Sequence, residues 1–277
     1  MSDTTPDSGD APRCTMDGLE TIRLFNMPIN NLTLEETLSN IGAHIEAGKQ
    51  GYVVTPNVDH AVEYAKNELF RQAYQNACFV LADGVPLLWA GKLFGKPIKE
   101  KISGSDLLYW LSDYAAQHGH SIFLLGAAEG VGEEAGRILQ ETYPGLKVAG
   151  TYSPPMGFEK DPVENQKAID AIKESGAAIC YTALGAPKQD LWNWQYHAET
   201  GANLCLGIGA SLDFVSGRVR RAPVWMQRCG LEWTWRILQE PVRMGKRYLI
   251  RDAYVLVLLW REWRHGSPPW NTPDQTT

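Results

Sequence analysis

The chain has 277 residues, 44% of them hydrophobic and 21% charged, which supplies a sizeable core and excludes a disordered chain, a collagen and a small disulfide scaffold. Its formal charge of -6 is uneven: between Arg218 and Arg264, eleven Lys/Arg against four acids give +7 and leave -13 for the rest. An acidic body with a basic C-terminal segment points that segment toward phosphates or a membrane surface, although a solvated basic helix face would carry the same charges.

Residues 1–20 read as a disordered tail, because their polar start lacks the basic opening and apolar core of a signal peptide. From there the chain alternates short β-branched runs with longer amphipathic stretches. This is the pattern of strands and crossover helices around a parallel sheet. Strands are predicted over 51–55, 78–82, 121–125, 147–149, 178–183 and 203–208, and helices over 34–46, 58–76, 104–117, 132–142, 164–173 and 188–198. The fold expected is a Rossmann-like α/β domain over 21–217 with helices on both faces of the sheet. Past Phe214 the chain turns basic, and the stretch from Arg218 to Arg264 holds five of the ten Trp residues. Helices are expected from Pro223 and again over about 242–264, forming a basic helical appendage over 218–264 before a flexible tail at 265–277. The longest clean apolar run, 253–260, is far short of the roughly 20 residues that span a membrane. Five cysteines without a C-x-x-C pair indicate a reducing compartment and no disulfide framework.

Most of the predicted strands run into polar or Gly-rich turns, and in open α/β sheets ligands bind at those carboxyl ends. Asp83 follows the apolar run 78–82, a location that can raise a carboxylate's pKa and aim it into a crevice as a general base; an Asp-Gly turn is the structural alternative. Thr55 and Asn57 offer hydrogen bonds at a neighbouring strand end, where Asn57 is equally suited to cap the next helix. Gly126 opens a Gly-containing turn before a helix, suited to phosphate contact or to tight turning, but it lacks the G-x-G-x-x-G spacing of a dinucleotide site. Gly207 and Gly209 permit close backbone approach to a ligand. Ser211 lies in no nucleophile elbow, since Asp213 occupies the position of the last Gly. The six histidines form no metal-ligand pair. No D-x-D occurs to hold a metal on a diphosphate, and Arg236, Arg243 and Arg247 in the basic segment are candidate guanidinium donors to a phosphate.

Thr55-Pro56-Asn57, Ala82-Asp83-Gly84-Val85-Pro86, Ile102-Ser103-Gly104-Ser105-Asp106-Leu107, Leu184-Gly185-Ala186-Pro187-Lys188-Gln189-Asp190, the segment 207–214, Arg221-Ala222-Pro223, Leu231-Glu232-Trp233 and Glu240-Pro241 stand in the order seen in the WecG/TagA/CpsF glycosyltransferase family. The chain resembles that family from about Thr55 to Tyr248. The resemblance implies inverting, metal-independent transfer of a sugar, such as N-acetylmannosamine, from a UDP-sugar to a polyprenyl-diphosphate-linked sugar in cell-surface polysaccharide synthesis. It places the protein in the cytoplasm, peripheral on the inner face of the cell membrane. No cofactor and no nucleic-acid partner is expected, and a homo-oligomer is left open. Asp83 matches the family's catalytic base, Thr55 and Asn57 its Thr and Asn, and Gln189 the Gln of its P-K-Q-E motif. Lys101 and Ser103 fall in a matching substrate-binding segment. Lys101 replaces the usual Arg and loses its bidentate fork, and Asp190 replaces the usual Glu. The alternatives are a nicotinamide-dependent oxidoreductase and a nucleotide-sugar-binding protein without catalysis.

Overall fold

The computed structural model describes residues 18–223, 225, 226, 232–239 and 253–267. The chain opens with an antiparallel hairpin, β1 (Thr21–Leu24) and β2 (Met27–Asn30), turned by Phe25 and Asn26 at positive φ. Helix α1 (Leu34–Glu46) begins in a reciprocal capping box of Thr33 and Glu36, which satisfies two otherwise orphaned backbone N–H groups. The α/β repeat then runs through β3 (Gly51–Val54), α2 (Val58–Lys66), α3 (Glu68–Gln75), β4 (Phe79–Val80), α4 (Val85–Leu93) and α5 (Gly104–His118). It continues through β5 (Ser121–Gly126), α6 (Val131–Thr142), β6 (Lys147–Tyr152), α7 (Pro162–Ser175), β7 (Ile179–Ala183), α8 (Lys188–Thr200), β8 (Leu204–Gly207) and α9 (Ser211–Val215). Two further helices follow, α10 (Glu232–Gln239) and α11 (Ala253–His265).

Six strands form one parallel sheet in the order β4-β3-β8-β7-β5-β6. Its central strands are buried on both faces, as parallel sheets require, and alternate residues feed two separate cores. Tyr52, Val54, Phe123, Leu125, Cys180 and Cys205 pack on one side with α2, α3, α7 and α8. Val53, Ile122, Leu124, Ile179, Tyr181 and Leu206 pack on the other with α1, α5, α6 and α9. This is the expected Rossmann-like α/β architecture. The predicted helix over 58–76 is divided at Asn67, which leaves the helical region at φ -118° and ψ 111° and caps α3 by accepting from the Phe70 N–H. Cys180 and Cys205 are free and buried, whereas Cys78 is disulfide-bonded, a bond that the reading of a reducing compartment without a disulfide framework did not anticipate.

Helix α11 packs back on the body. Leu258 is buried among the side chains of the first core, and Lys66 stacks on the Tyr254 ring. Glu262, only 4% exposed at its side chain, accepts from the Phe25 N–H, pairs with Lys96 at 2.8 Å and receives Ser267. The Asn26 N–H reaches Ser267 Oγ at 2.8 Å, so the first hairpin and the last described helix are joined directly.

Candidate active site

All six parallel strands point their carboxyl ends into one cleft of about 970 Å³. Its floor is made by Thr55 and Asn57 after β3, Asp83 after β4 and the turn 126–129 after β5. Residues 153–159 after β6, 183–186 at the end of β7 with Lys188 and Gln189 at the start of α8, and 207–210 after β8 complete it. This is the crevice in which open α/β sheets bind ligands.

Local chemistry fixes these groups. The Asp83 N–H donates to the Pro56 carbonyl at 2.7 Å, which ties the β4 loop to the β3 loop and brings Asp83, Thr55 and Asn57 to the same end of the cleft. Asn57 caps α2: its Oδ1 accepts from the His60 N–H at 3.2 Å while its own N–H donates to His60 Nδ1 at 3.0 Å. The capping alternative is therefore realised, and Asn57 lines the cleft as well.

Gln189 is buried and clasps the β8 loop, its Oε1 accepting from the Gly209 N–H at 3.0 Å. A Cβ at Gly207 would fall 2.6 Å from Gln189 Nε2, so glycine is what lets this clasp close. Gly104 plays the same part at the start of α5, where a Cβ would lie 2.7 Å from the Gly207 carbonyl oxygen and 3.1 Å from Thr55 Oγ1. Gly126, at φ +100°, lets β5 turn against the Ala183 carbonyl.

Two sequence-predicted residues lie outside the cleft lining. Ser103 is buried as the N-cap of α5, accepting from the Asp106 N–H. Lys101 sits 3.4 Å from Asp106 Oδ2. Arg236 is on α10 but its side chain lies outside the described residues, as do Arg243 and Arg247. Sequence reasoning missed Arg218 and Arg220, which reach the cleft just beyond α9, exposed and without an acidic partner among the described residues. It missed Lys188 as well, paired with Glu159 at 2.8 Å on the cleft wall. Their signal was in the sequence, as cations within or adjoining the matched motifs, but only the fold turns them inward. Helix α10 adds Glu232, Trp235 and Gln239 to the lining. Among the described residues no three His, Cys, Asp or Glu side chains gather as a metal site, and no helix is long and apolar enough to cross a membrane.

Behind the cleft, Asp190 is fully buried beside the Tyr74 hydroxyl, and burial pushes its pKa up to about 7. At the cleft's side, burial raises the Asp106 carboxyl, but hydrogen bonds from Ser103 and Arg221 outweigh that and hold it below its ordinary value.

Residues 22–268 match the Glycosyl transferase WecG/TagA/CpsF family. The chain is 32% identical to the N-acetylglucosaminyldiphosphoundecaprenol N-acetyl-beta-D-mannosaminyltransferase of Bacillus spizizenii, over 87% of this chain and 93% of that protein. The protein of the same description from Bacillus subtilis is 29% identical over 88% and 93% of the two chains, and that from Staphylococcus aureus 25% identical over 81% and 87%. With the match running through every strand of the sheet and every loop of the cleft, this chain belongs to the WecG/TagA/CpsF glycosyltransferase family.

Proposed function

We propose that the protein transfers N-acetylmannosamine or a related hexose from a UDP-sugar to a polyprenyl-diphosphate-linked sugar, with inversion and without a metal. The acceptor class follows the named activity of the relatives. The observation that carries the mechanism is Asp83, the carboxylate at a strand end inside the cleft and tied by its backbone to the loop of Thr55 and Asn57. In a single displacement Asp83 takes the proton of the acceptor hydroxyl while that oxygen attacks the anomeric carbon. The bond from that carbon to the UDP oxygen breaks, and its electron pair leaves with the diphosphate. Arg218 and Arg220 supply guanidinium donors where that charge develops, joined by Arg236, Arg243 and Arg247 from the same basic segment. Lys101 and Ser103 act from behind the lining, through Asp106.

The outer face of α11 supports docking on the cytoplasmic surface of the membrane. Leu256, Trp260 and Trp263 are exposed there beside Arg261 and Arg264, the last with its guanidinium 5.7 Å from the Trp260 ring centre.

Asp83→Asn keeps shape and hydrogen bonding but removes the proton acceptor. Transfer, followed as UDP release with a panel of UDP-sugars and a lipid-diphosphate-linked acceptor, should fall by roughly 10² to 10⁴ while UDP binding survives. Activity within about threefold of wild type at saturating acceptor removes Asp83 from the mechanism. In the same assay EDTA should leave turnover intact; a loss restored by Mg²⁺ or Mn²⁺ contradicts the metal-free displacement.

A further inference from the structure

Helix α10 walls the cleft, yet eight residues are too few to hold a helix by themselves, so its place must come from tertiary contacts. The described polar ties converge on two neighbouring residues. The Arg220 carbonyl accepts both from Trp235 Nε1 at 3.1 Å and from Gln239 Nε2 at 2.9 Å. Arg221 stands between two acids, with Nη2 2.9 Å from Asp106 Oδ1 on the body and Nε 3.6 Å from Glu232 Oε1 on α10. The other oxygen of Asp106 faces Lys101, and Ser103 fixes its backbone at the head of α5. All three side chains of the Arg221 cluster are about three-quarters or more buried, so solvent and salt screen them only in part.

We infer that Arg221 is a positioning residue, a latch whose planar fork joins Asp106 to Glu232 and holds α10 against the cleft with Trp235 and Gln239 turned inward. This deepens the transferase reading of the cleft and rests on it for the consequence in turnover. A guanidinium reaches two carboxylates along different edges, whereas an ammonium is a single point, so Lys at this position should hold the helix less well. Releasing α10 displaces one wall of the substrate site, and Arg236 with it, while Asp83 stays in place. A misplacement of about 1 Å is worth on the order of 10²-fold in rate.

The test uses the full chain labelled with 5-fluorotryptophan, the Trp235 resonance being assigned through Trp235→Phe. In Arg221→Gln that resonance should move toward the position of a solvated indole, and kcat/KM for the UDP-sugar should fall by about tenfold or more at an unchanged melting temperature. Arg221→Lys should lie between wild type and Arg221→Gln. Glu232→Gln should cost several-fold alone and nothing further in the Arg221→Gln background, since both remove one contact. If Arg221→Gln does not fold, Glu232→Gln and Asp106→Asn must still shift the Trp235 resonance. An unmoved resonance in the folded variants, or additive losses from Arg221→Gln and Glu232→Gln, overturns the latch. The resonance needs no ligand: a wild-type protein that neither binds UDP nor transfers sugar would refute the function while leaving the latch to be judged by Trp235.

Discussion

Asp190 follows the clasping Gln189 directly, yet its side chain points away from the cleft into the first core, beside Tyr74. Its native pKa of about 7 lies well above the value of an unfolded aspartate, so from about pH 4 to 7 the native state holds a proton that the unfolded state has lost. Stability from this residue therefore declines as pH rises through that window and is flat above it. Asp190→Asn cannot ionise. Its melting temperature relative to wild type should climb between pH 5 and 8 and then level off; a difference independent of pH would show that Asp190 is not protonated in the native state. At this scale the sequence was readable where chemistry is carried by one residue type at a strand end, as for Asp83. It was not readable where a role needs a partner far along the chain. Nothing near Gln189 indicates that its acceptor atom serves Gly209.

Helix α11 is held by one buried carboxylate serving three partners: the Phe25 N–H, Lys96 and Ser267. Glu262→Gln keeps the shape but leaves the Lys96 ammonium without its counter-charge. Breaking a fully buried pair costs about 3 to 5 kcal/mol, and with Lys96 a quarter exposed the expected loss is nearer 2 to 3 kcal/mol in urea denaturation. A loss below about 0.5 kcal/mol would mean that α11 is held by its apolar face alone. Among the elements, every strand of the parallel sheet was legible from its β-branched run. The break at Asn67 was not, because both halves of the 58–76 stretch keep a helical apolar period across it. The β1–β2 hairpin escaped for two reasons: its strands are four residues each, one containing Pro28, and its turn uses Phe25 where Gly or Asn is usual at positive φ. Helix α4 is apolar around most of its circumference and offers no period to read.

The molecule as a whole separates its charge, -6 overall with +7 in the stretch from Arg218 to Arg264, and carries exposed tryptophans on that stretch. If α11 meets the lipid surface, Trp260→Ser with Trp263→Ser should lower sedimentation with anionic vesicles about tenfold while leaving the fold intact. Wild-type binding should weaken with salt, since each basic residue near such a surface contributes about 1 kcal/mol. Equal binding by wild type and the double variant would move the contact elsewhere. The sheet order could not be read from the alternation of elements, since inserting β8 between β3 and β7 depends on which face each crossover covers and leaves no local mark. That arrangement also has a temporal side. The Asn26 N–H finds Ser267 across 241 residues of chain, and a ribosome adding about 5 to 20 residues per second needs roughly ten to fifty seconds to cover that distance. Throughout synthesis the opening hairpin therefore waits for the last helix, and a nascent chain arrested before Ala253 has built every strand of its sheet but not the closure that binds its beginning to its end.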